Sequence, residues 1–379
     1  MDFALTEDQQ LFQRMVRDFA TNELQPVAAQ VDDEEKFPAE NVRKMAELGL
    51  MGVSIAEEYG GSGGDSLHLA IATEEIARAC ASTSTVYLAS LSLACYPIYL
   101  FGTEEQKRRF VVPLAKGQTL ACFALTEPGA GSDAAAIKTA ATLRDDHYVL
   151  DGTKTFITNG AEADVAVVFA TVNKSLRHKV IIALIVEKGT PGFSVGKKER
   201  KLGVRGSSTA ELAFESCRVP IGNRLGDEGG GFKVAMGAID ASRINVAAQA
   251  VGIARAGLEA SLAYARDRQQ FGQAISGFQA IQWMLADMAT HVDAARLLAY
   301  RAAFLKNQGL PYLKEAAMAK LFAAETAMSV TTKAVQIHGG YGYIKDYPVE
   351  RYFRDAKIME IYEGTSEMQR MTIARQLIG

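Results

Sequence analysis

Apolar positions recur every three or four residues from Thr6 to about Lys116. In "EDQQLFQRMVRDFATNEL" this spacing puts Leu11, Phe12, Met15, Val16 and Phe19 on one helix face. "AENVRKMAELGL" and "SLHLAIATEEIARAC" repeat the period, with the turn-rich "EEYGGSGGD" (57–65) between them. The texture changes near Leu120. Short runs rich in Val, Ile and Phe follow: "ACFALTE", "HYVLDG", "DVAVVFATV", "VIIALIVEK" and "ELAFESCRVP". Turn residues "DDH", "GTPG" and "GSS" separate them, which predicts seven or eight strands. After "GDEGGGF" (226–232) the helical period returns in runs at 244–271, 275–307 and 312–340, each longer than 20 residues.

Helices, then strands, then helices predict an α+β chain, not an alternating parallel one. The expected organisation is an N-terminal α-helical domain over 1–119, a central antiparallel β domain over 120–227 and a C-terminal helical bundle over 228–379.

Composition acts mainly by exclusion. A chain of 379 residues with 48% hydrophobic and 22% charged residues can bury a large core. Its net charge of -3 argues against general nucleic-acid binding, which needs a basic surface. Cys80, Cys95, Cys122 and Cys217 form no C-x-x-C pair and read as reduced, buried small hydrophobes. "MDFALTEDQQ" is acidic and lacks the basic start and apolar run of a signal peptide. Apolar stretches such as "KVIIALIVEK" stop short of the roughly 18 residues of a spanning helix. The expectation is a cytoplasmic protein without a membrane span, and Asn173-Lys174-Ser175 is a chance glycosylation match.

Four segments hold the candidate chemistry. "FALTEPGAGSDAA" (123–135) contains a formal G-x-G-x-x-A, but a hairpin, "TAATLRDDHYVLDG", is expected next where a Rossmann unit needs a helix. The loop is either a structural turn or a nest of N–H groups for an anion. "KTFITNGAEAD" (154–164) reads as a strand ending in an Asn-Gly turn, with Phe156, Thr158 and Gly160 on one face by alternation. In "DASRINVAAQ" (240–249), opening a long helix, Asp240 and Arg243 can pair on one face; "ARDRQQFG" (265–272) puts Arg268 and Phe271 near a helix end. "QIHGGYGYIKDYPVERYFRDAKIMEIYEGTSEMQR" (336–370) breaks a helix at Gly339, Gly340 and Gly342. His338 has no Ser or Cys nucleophile in an elbow, and the five histidines lack metal-site spacing. Ser366 with Gln369 fits a capping box, which leaves Glu363, placed before the cap between Tyr362 and Gly364, without a structural reason.

Five segments, "LTEPGAGSD", "FITNG", "DRQQFG", "QIHGGYGY" and "IYEGTSEMQR", stand in an order and spacing that resembles the acyl-CoA dehydrogenases. The resemblance covers essentially the whole chain. It implies FAD held between the β domain and the C-terminal helices, and removal of the α proton and β hydride of an acyl-CoA thioester. It further implies electron transfer to electron-transferring flavoprotein and a homotetramer.

By motif position, Phe123, Leu125, Thr126, Gly131 and Ser132 resemble flavin-side contacts, with Ser132 also near CoA. Phe156, Ile157 and Thr158 resemble the segment beside the flavin ring, although many relatives have Trp where Phe156 stands. Arg268, Gln270, Phe271, Phe278 and Gln279, with Gln336, Gly339 and Gly340, match contacts to the FAD diphosphate and adenosine, partly across a subunit boundary. Thr365 and Glu367 match the end of that site. Asp240 and Arg243 match CoA-side and active-site-support positions, and Tyr362 and Gly364 line the substrate. Glu363 matches the catalytic base. Some members carry that glutamate where this chain has Ser242, so the acid at 363 decides the assignment. The neutral run "STVYLASLSLACYP" (84–97) has no Arg or Lys for a distal carboxylate, and the expected substrate is a short straight-chain acyl-CoA. A branched or alicyclic acyl group, or an oxidase or monooxygenase on the same fold, is the alternative.

Overall fold

The computed structural model describes residues 4–379; the first three residues of "MDFALTEDQQ" lie outside the described residues. The first helix, Glu7–Phe19, opens on Thr6. Its hydroxyl accepts from the Gln9 N–H while the Gln9 side chain accepts from the Thr6 N–H, a capping box of about 1 kcal/mol. The remaining N-terminal helices include Ala39–Glu47 and Ser66–Ala79.

A continuous helical stretch then runs through Ala81–Leu88, Ala89–Cys95 and Tyr96–Phe101. Its 21 residues are long and apolar enough to cross a membrane by length and composition, which corrects the expectation that no stretch approaches that length. Interspersed Ser and Thr hide it in the sequence; Thr85 Oγ1, for example, donates to the Ala81 carbonyl at 3.0 Å. The most apolar 18-residue window of the stretch is 72% buried inside the protein, as a core helix is.

Eight strands form one sheet: β1 (Ala121–Ala124), β2 (Ala140–Arg144), β3 (His147–Thr158), β4 (Val165–Thr171), β5 (Ile181–Glu187), β6 (Phe193–Lys198), β7 (Thr209–Pro220) and β8 (Arg224–Leu225). The order is β6-β7-β3-β2-β4-β5-β8, with β1 beside β4. Most pairs are antiparallel, but β1 runs parallel to β4, and β2 meets β4 in parallel at Ala140 and Thr171. β4 and β5 are buried along nearly their whole length because both faces are covered. Val165, Val167, Phe169, Ile181, Ala183 and Ile185 join the core beneath the N-terminal helices. The alternating Ala166, Val168, Ala170, Ile182, Leu184 and Val186 pack under β3 and β7.

The C-terminal bundle consists chiefly of helices Gly231–Asp267, Gln279–Asn307 and Leu313–His338. The first spans 37 residues and starts well before Asp240, so Asp240 and Arg243 lie within a helix rather than at its opening. Alanines such as Ala247, Ala250, Ala254, Ala319, Ala323 and Ala327 fill the core between these helices and allow close backbone approach. Buried Glu74 and Glu75 bind Arg255, with Arg296 on Glu74 and Arg17 on Glu75, fastening the N-terminal helices to the bundle.

Candidate active site

The loop after β1 and the end of β3 are built as one unit. The Lys154 ammonium, fully buried, donates to the Leu125 carbonyl at 3.0 Å and to Glu127 Oε1 at 2.8 Å. Glu127 also accepts from the backbone N–H groups of Lys138 and Thr139 at 2.6 and 2.9 Å. The Thr155 N–H donates to the Thr126 carbonyl at 2.9 Å. Burial lowers the Lys154 pKa to about 8, against the opposing pull of Glu127. Phe123, Leu125, Thr126, Gly131, Ser132, Phe156, Ile157 and Thr158 are thereby brought to one region. A short 3-10 turn, Ala134–Ala136, and the β2–β3 hairpin follow, so no Rossmann unit forms here.

A register shift between Lys154 and Ile157 breaks the alternation assumed for β3. Phe156 sits at φ 58° with 64% of its surface exposed. Thr158 stays half-buried, but Gly160 lies past the strand's end and is buried, not on the Phe156 face. Asn159, at φ 64°, donates through Nδ2 to the Val86 carbonyl at 3.0 Å.

A second group forms at the far end of helix Gly231–Asp267. Gln269–Gln270 and Gln273–Ala274 pair as a two-residue hairpin whose tip, Phe271 and Gly272, has φ 52° and 80°. Phe271 is 93% exposed and meets Phe278 edge-on at 6.1 Å; Gln279 begins the next helix. The Arg268 guanidinium lies 5.5 Å from the Tyr341 ring, which ties this hairpin to Gly339 and Gly340. Gln336 is exposed on the adjoining helix. His338 is buried, bonded to the Ala334 carbonyl and stacked on Tyr264 at 4.2 Å, so its role is explained by packing. Among the described residues, no hydrogen bond, ion pair or ring contact ties this group to the other two.

The third group surrounds Glu363. Helix Ser366–Ile378 starts on Thr365, whose hydroxyl accepts from the Met368 N–H. That corrects the expected Ser366–Gln369 capping box by one residue; Thr and Ser are both favoured caps, and residue type alone does not choose between neighbours. Gln369 instead reaches back to the carbonyls of Glu363 and Gly364, at 3.2 and 2.9 Å. Glu363 has φ 52° and Gly364 φ 93°, a turn that residues with a Cβ rarely hold. The Lys320 ammonium donates to the Gly364 carbonyl at 2.7 Å. Asp240 accepts from Arg243 at 2.8 Å, the pair expected from their spacing. Glu367 is exposed at the helix start.

Glu363 Oε2 is buried without a hydrogen-bond partner, as is Ser242 Oγ. Burial pushes the Glu363 pKa up to about 7; the Ser242 hydroxyl, Lys320 and Arg243 oppose the rise. Ser242 faces the acid closely enough to moderate it without closing a bond of good geometry. Tyr362 donates to Gln249 Oε1, and Gln249 Nε2 donates to Thr85 Oγ1 at 2.9 Å. The Glu363 loop, through Tyr362 and Gln249, and Asn159 therefore brace on neighbouring residues of one helix, Ala81–Leu88. Sequence reasoning missed Lys320, Gln249 and the Lys154–Glu127 pair. The only signal for Lys320 is a lone cation in the alanine-rich "AAMAKLFAAETA".

Three family models match in succession: the acyl-CoA dehydrogenase N-terminal domain over 6–118, the middle domain over 122–217 and the C-terminal domain over 229–378. The chain belongs to the acyl-CoA dehydrogenases. It is 52% identical over 377 residues to a short-chain specific acyl-CoA dehydrogenase of Clostridium acetobutylicum, covering 100% of both chains. It is 53% identical to an acryloyl-CoA reductase (NADH) of Anaerotignum propionicum, covering 100% of this chain and 96% of the relative. The butyryl-CoA dehydrogenase structure from Megasphaera elsdenii superposes with a TM-score of 0.98 at 47% identity, over 100% of both chains. A chain solved in work on the electron-transferring flavoprotein of Acidaminococcus fermentans gives 0.98 at 52% identity, again over 100% of both.

The acyl-CoA dehydrogenases are FAD-dependent oxidoreductases, and the residues here fit that cofactor. A Cβ added at Gly129, Gly131, Gly339 or Gly340 would meet nothing within 4 Å, so their backbone is open to a ligand. Phe156 and Phe271 are large aromatics displayed in left-handed backbone at opposite ends of the motif set. Among the described residues, Arg268 forms no ion pair, which leaves a cation for a diphosphate.

Proposed function

We propose that the chain removes the α and β hydrogens of a short straight-chain acyl-CoA to give the trans-2-enoyl-CoA, with Glu363 taking the α proton. The observation that carries this reading is a carboxylate oxygen, buried and unpartnered, on a turn held by three hydrogen bonds from two side chains, Lys320 and Gln369, on neighbouring helices. An α C–H of a thioester is a very weak acid, so its base needs a raised pKa and the forming enolate needs N–H donors. A pKa near 7 supports the first requirement. Among the described residues the Glu363 N–H has no partner, which supports the second. Tyr362 walls the acid on one side. The Tyr362–Gln249–Thr85 chain crosses beside it and favours a short acyl group, as do the names of the relatives.

FAD, when bound, supplies the hydride acceptor. Phe123, Leu125, Thr126, Gly131, Ser132, Phe156, Ile157 and Thr158 would hold its flavin side. Arg268, Gln270, Phe271, Phe278, Gln279, Gln336, Gly339 and Gly340 would hold its diphosphate and adenosine, with Thr365 and Glu367 closing the site. The separation of this second group within one chain supports a homotetramer in which a neighbour completes the site. Asp240, Arg243 and Ser132 would meet CoA. Electron-transferring flavoprotein is the proposed acceptor, supported by the similarity to the Acidaminococcus chain. The free, buried state of all four cysteines supports a cytoplasmic location.

Enoyl-CoA reduction is a second reading, favoured by the 53% identity to the reductase. The same residues would serve in reverse, with Glu363 delivering the proton. Anaerobic mixing of the flavin-loaded protein with acyl-CoA thioesters of increasing length tests both. Bleaching by butyryl-CoA in preference to longer chains is expected. Absence of bleaching with every thioester, together with flavin reduction by NADH, would overturn the dehydrogenase reading for the reductase.

A further inference from the structure

We propose that Lys320 is a positioning residue for the base, clamping the Glu363–Gly364 turn and biasing the Glu363 carboxylate toward its ionised form. This rests on the assignment of Glu363 as base. Lys320 stands two turns into helix Leu313–His338 and is fully buried. Lysines are almost never fully buried unless paired. Yet among the described residues Lys320 makes no salt bridge, and its hydrogen bond goes to a carbonyl, that of Gly364, at 2.7 Å. A methionine would fill the same buried space without the desolvation cost, so packing does not account for the charge.

The geometry accounts for it in two ways. First, two successive residues with positive φ cost of order 1–3 kcal/mol each where they carry a Cβ, and persist only when neighbours over-determine them. The turn is held from both sides: Lys320 donates to the Gly364 carbonyl from one helix, and Gln369 donates to the Glu363 and Gly364 carbonyls from another. Second, the charges around Lys320 are Glu363, Glu360 and Glu367 on the acidic side and Arg243 on the basic side. Glu360 is already bound by Lys357, and Glu367 is exposed at the helix start. Glu363 is thus the buried anion that Lys320 faces. The groups facing Glu363 in turn are Lys320, Arg243, Ser242 and Tyr362. Arg243 is engaged by Asp240, so Lys320 is the cation without a carboxylate of its own. Its field acts against the burial that favours the protonated acid.

The test compares the pH profile of kcat/KM for acyl-CoA oxidation in the FAD-loaded wild type, Lys320→Met and Lys320→Gln. Loss of the cation removes an influence that lowers the Glu363 pKa, so the acid limb moves upward in both variants, by on the order of one pH unit. Lys320→Met also frees the turn, and kcat falls about ten- to a hundredfold with KM little changed. Lys320→Gln keeps a donor for Gly364, so its kcat falls less while its acid limb still moves. A folded variant whose acid limb stays at the wild-type pH overturns the proposal, even if its Tm drops. If Lys320→Met does not fold, Lys320→Gln carries the same test. Should the wild type itself fail to oxidise any acyl-CoA, the assignment of the base falls instead, a separate outcome read before either variant.

Discussion

Replacing Gly364 with alanine perturbs the proposed base, Glu363, without touching its carboxylate. The new Cβ would sit 2.8 Å from Gln369 Nε2, 3.6 Å from Met368 Cβ and 3.7 Å from an Arg243 guanidinium nitrogen. The first contact is too close to survive, so the Gln369 side chain must swing away. Gln369 is fully buried, and swinging forfeits its bonds to the Glu363 and Gly364 carbonyls. Two such bonds are worth about 1–3 kcal/mol together. Alanine at φ 93° adds of order 1–3 kcal/mol of backbone strain. The expected destabilisation is therefore roughly 2–6 kcal/mol if the turn keeps its shape. Should the turn relax instead, the base moves, and a displacement of about 1 Å costs on the order of a hundredfold in rate. Urea denaturation, read as a change in midpoint at constant slope, measures the first cost; flavin reduction by substrate measures the second. A variant with wild-type stability and wild-type rate would refute the clamp.

Further outcomes follow from the same geometry. kcat/KM should rise as pH rises through about 7, because Glu363, as the proposed base, would act in its ionised form. Stability should run the other way: the folded state binds this proton more tightly than the unfolded chain, so its contribution is fullest below the ordinary carboxyl range and is lost as pH rises through about 7. Calorimetry of Glu363→Gln against wild type at pH 8 should show the variant more stable, by at most about 3 kcal/mol. Lys154→Met leaves Glu127 buried without its cation and should cost about 3–5 kcal/mol in urea denaturation, most of it restored by adding Glu127→Gln. Arg268→Ala should weaken FAD retention on gel filtration while leaving the fold intact by circular dichroism, since Arg268 makes no ion pair among the described residues.

Much of this was legible in the sequence because periodicity reports burial directly. The change from a period near 3.6 to short Val/Ile-rich runs at Leu120, and back after Phe232, separates helices from sheet. Irregularities carry no period, and there the reading failed. The bulge at Phe156 shifts which residues share a face, and the parallel seating of β1 and β2 on β4 depends on how the sheet meets the helical domain. The hydroxyls spread through Ala81–Phe101 masked a core helix long enough to span a bilayer. At the site, Glu363 and Gly364 stood out because an acid beside a glycine before a helix cap lacks a structural reason. Lys320 and Gln249 did not, since each is one polar residue in an alanine-rich helix whose partner lies far along the chain. Only folding brings Lys320 against Gly364 and Gln249 against Tyr362.

In the proposed reaction the Glu363 carboxylate takes the substrate's α proton. The most direct test of this step is stopped-flow anaerobic reduction of the FAD-loaded Glu363→Gln protein by butyryl-CoA at pH 8, with FAD content and acyl-CoA binding measured on the same sample. Retained FAD, retained binding and a reduction rate lower by ~10²–10⁴ or more, the scale of losing a general base, are expected. A rate close to that of the wild type would contradict this role for Glu363.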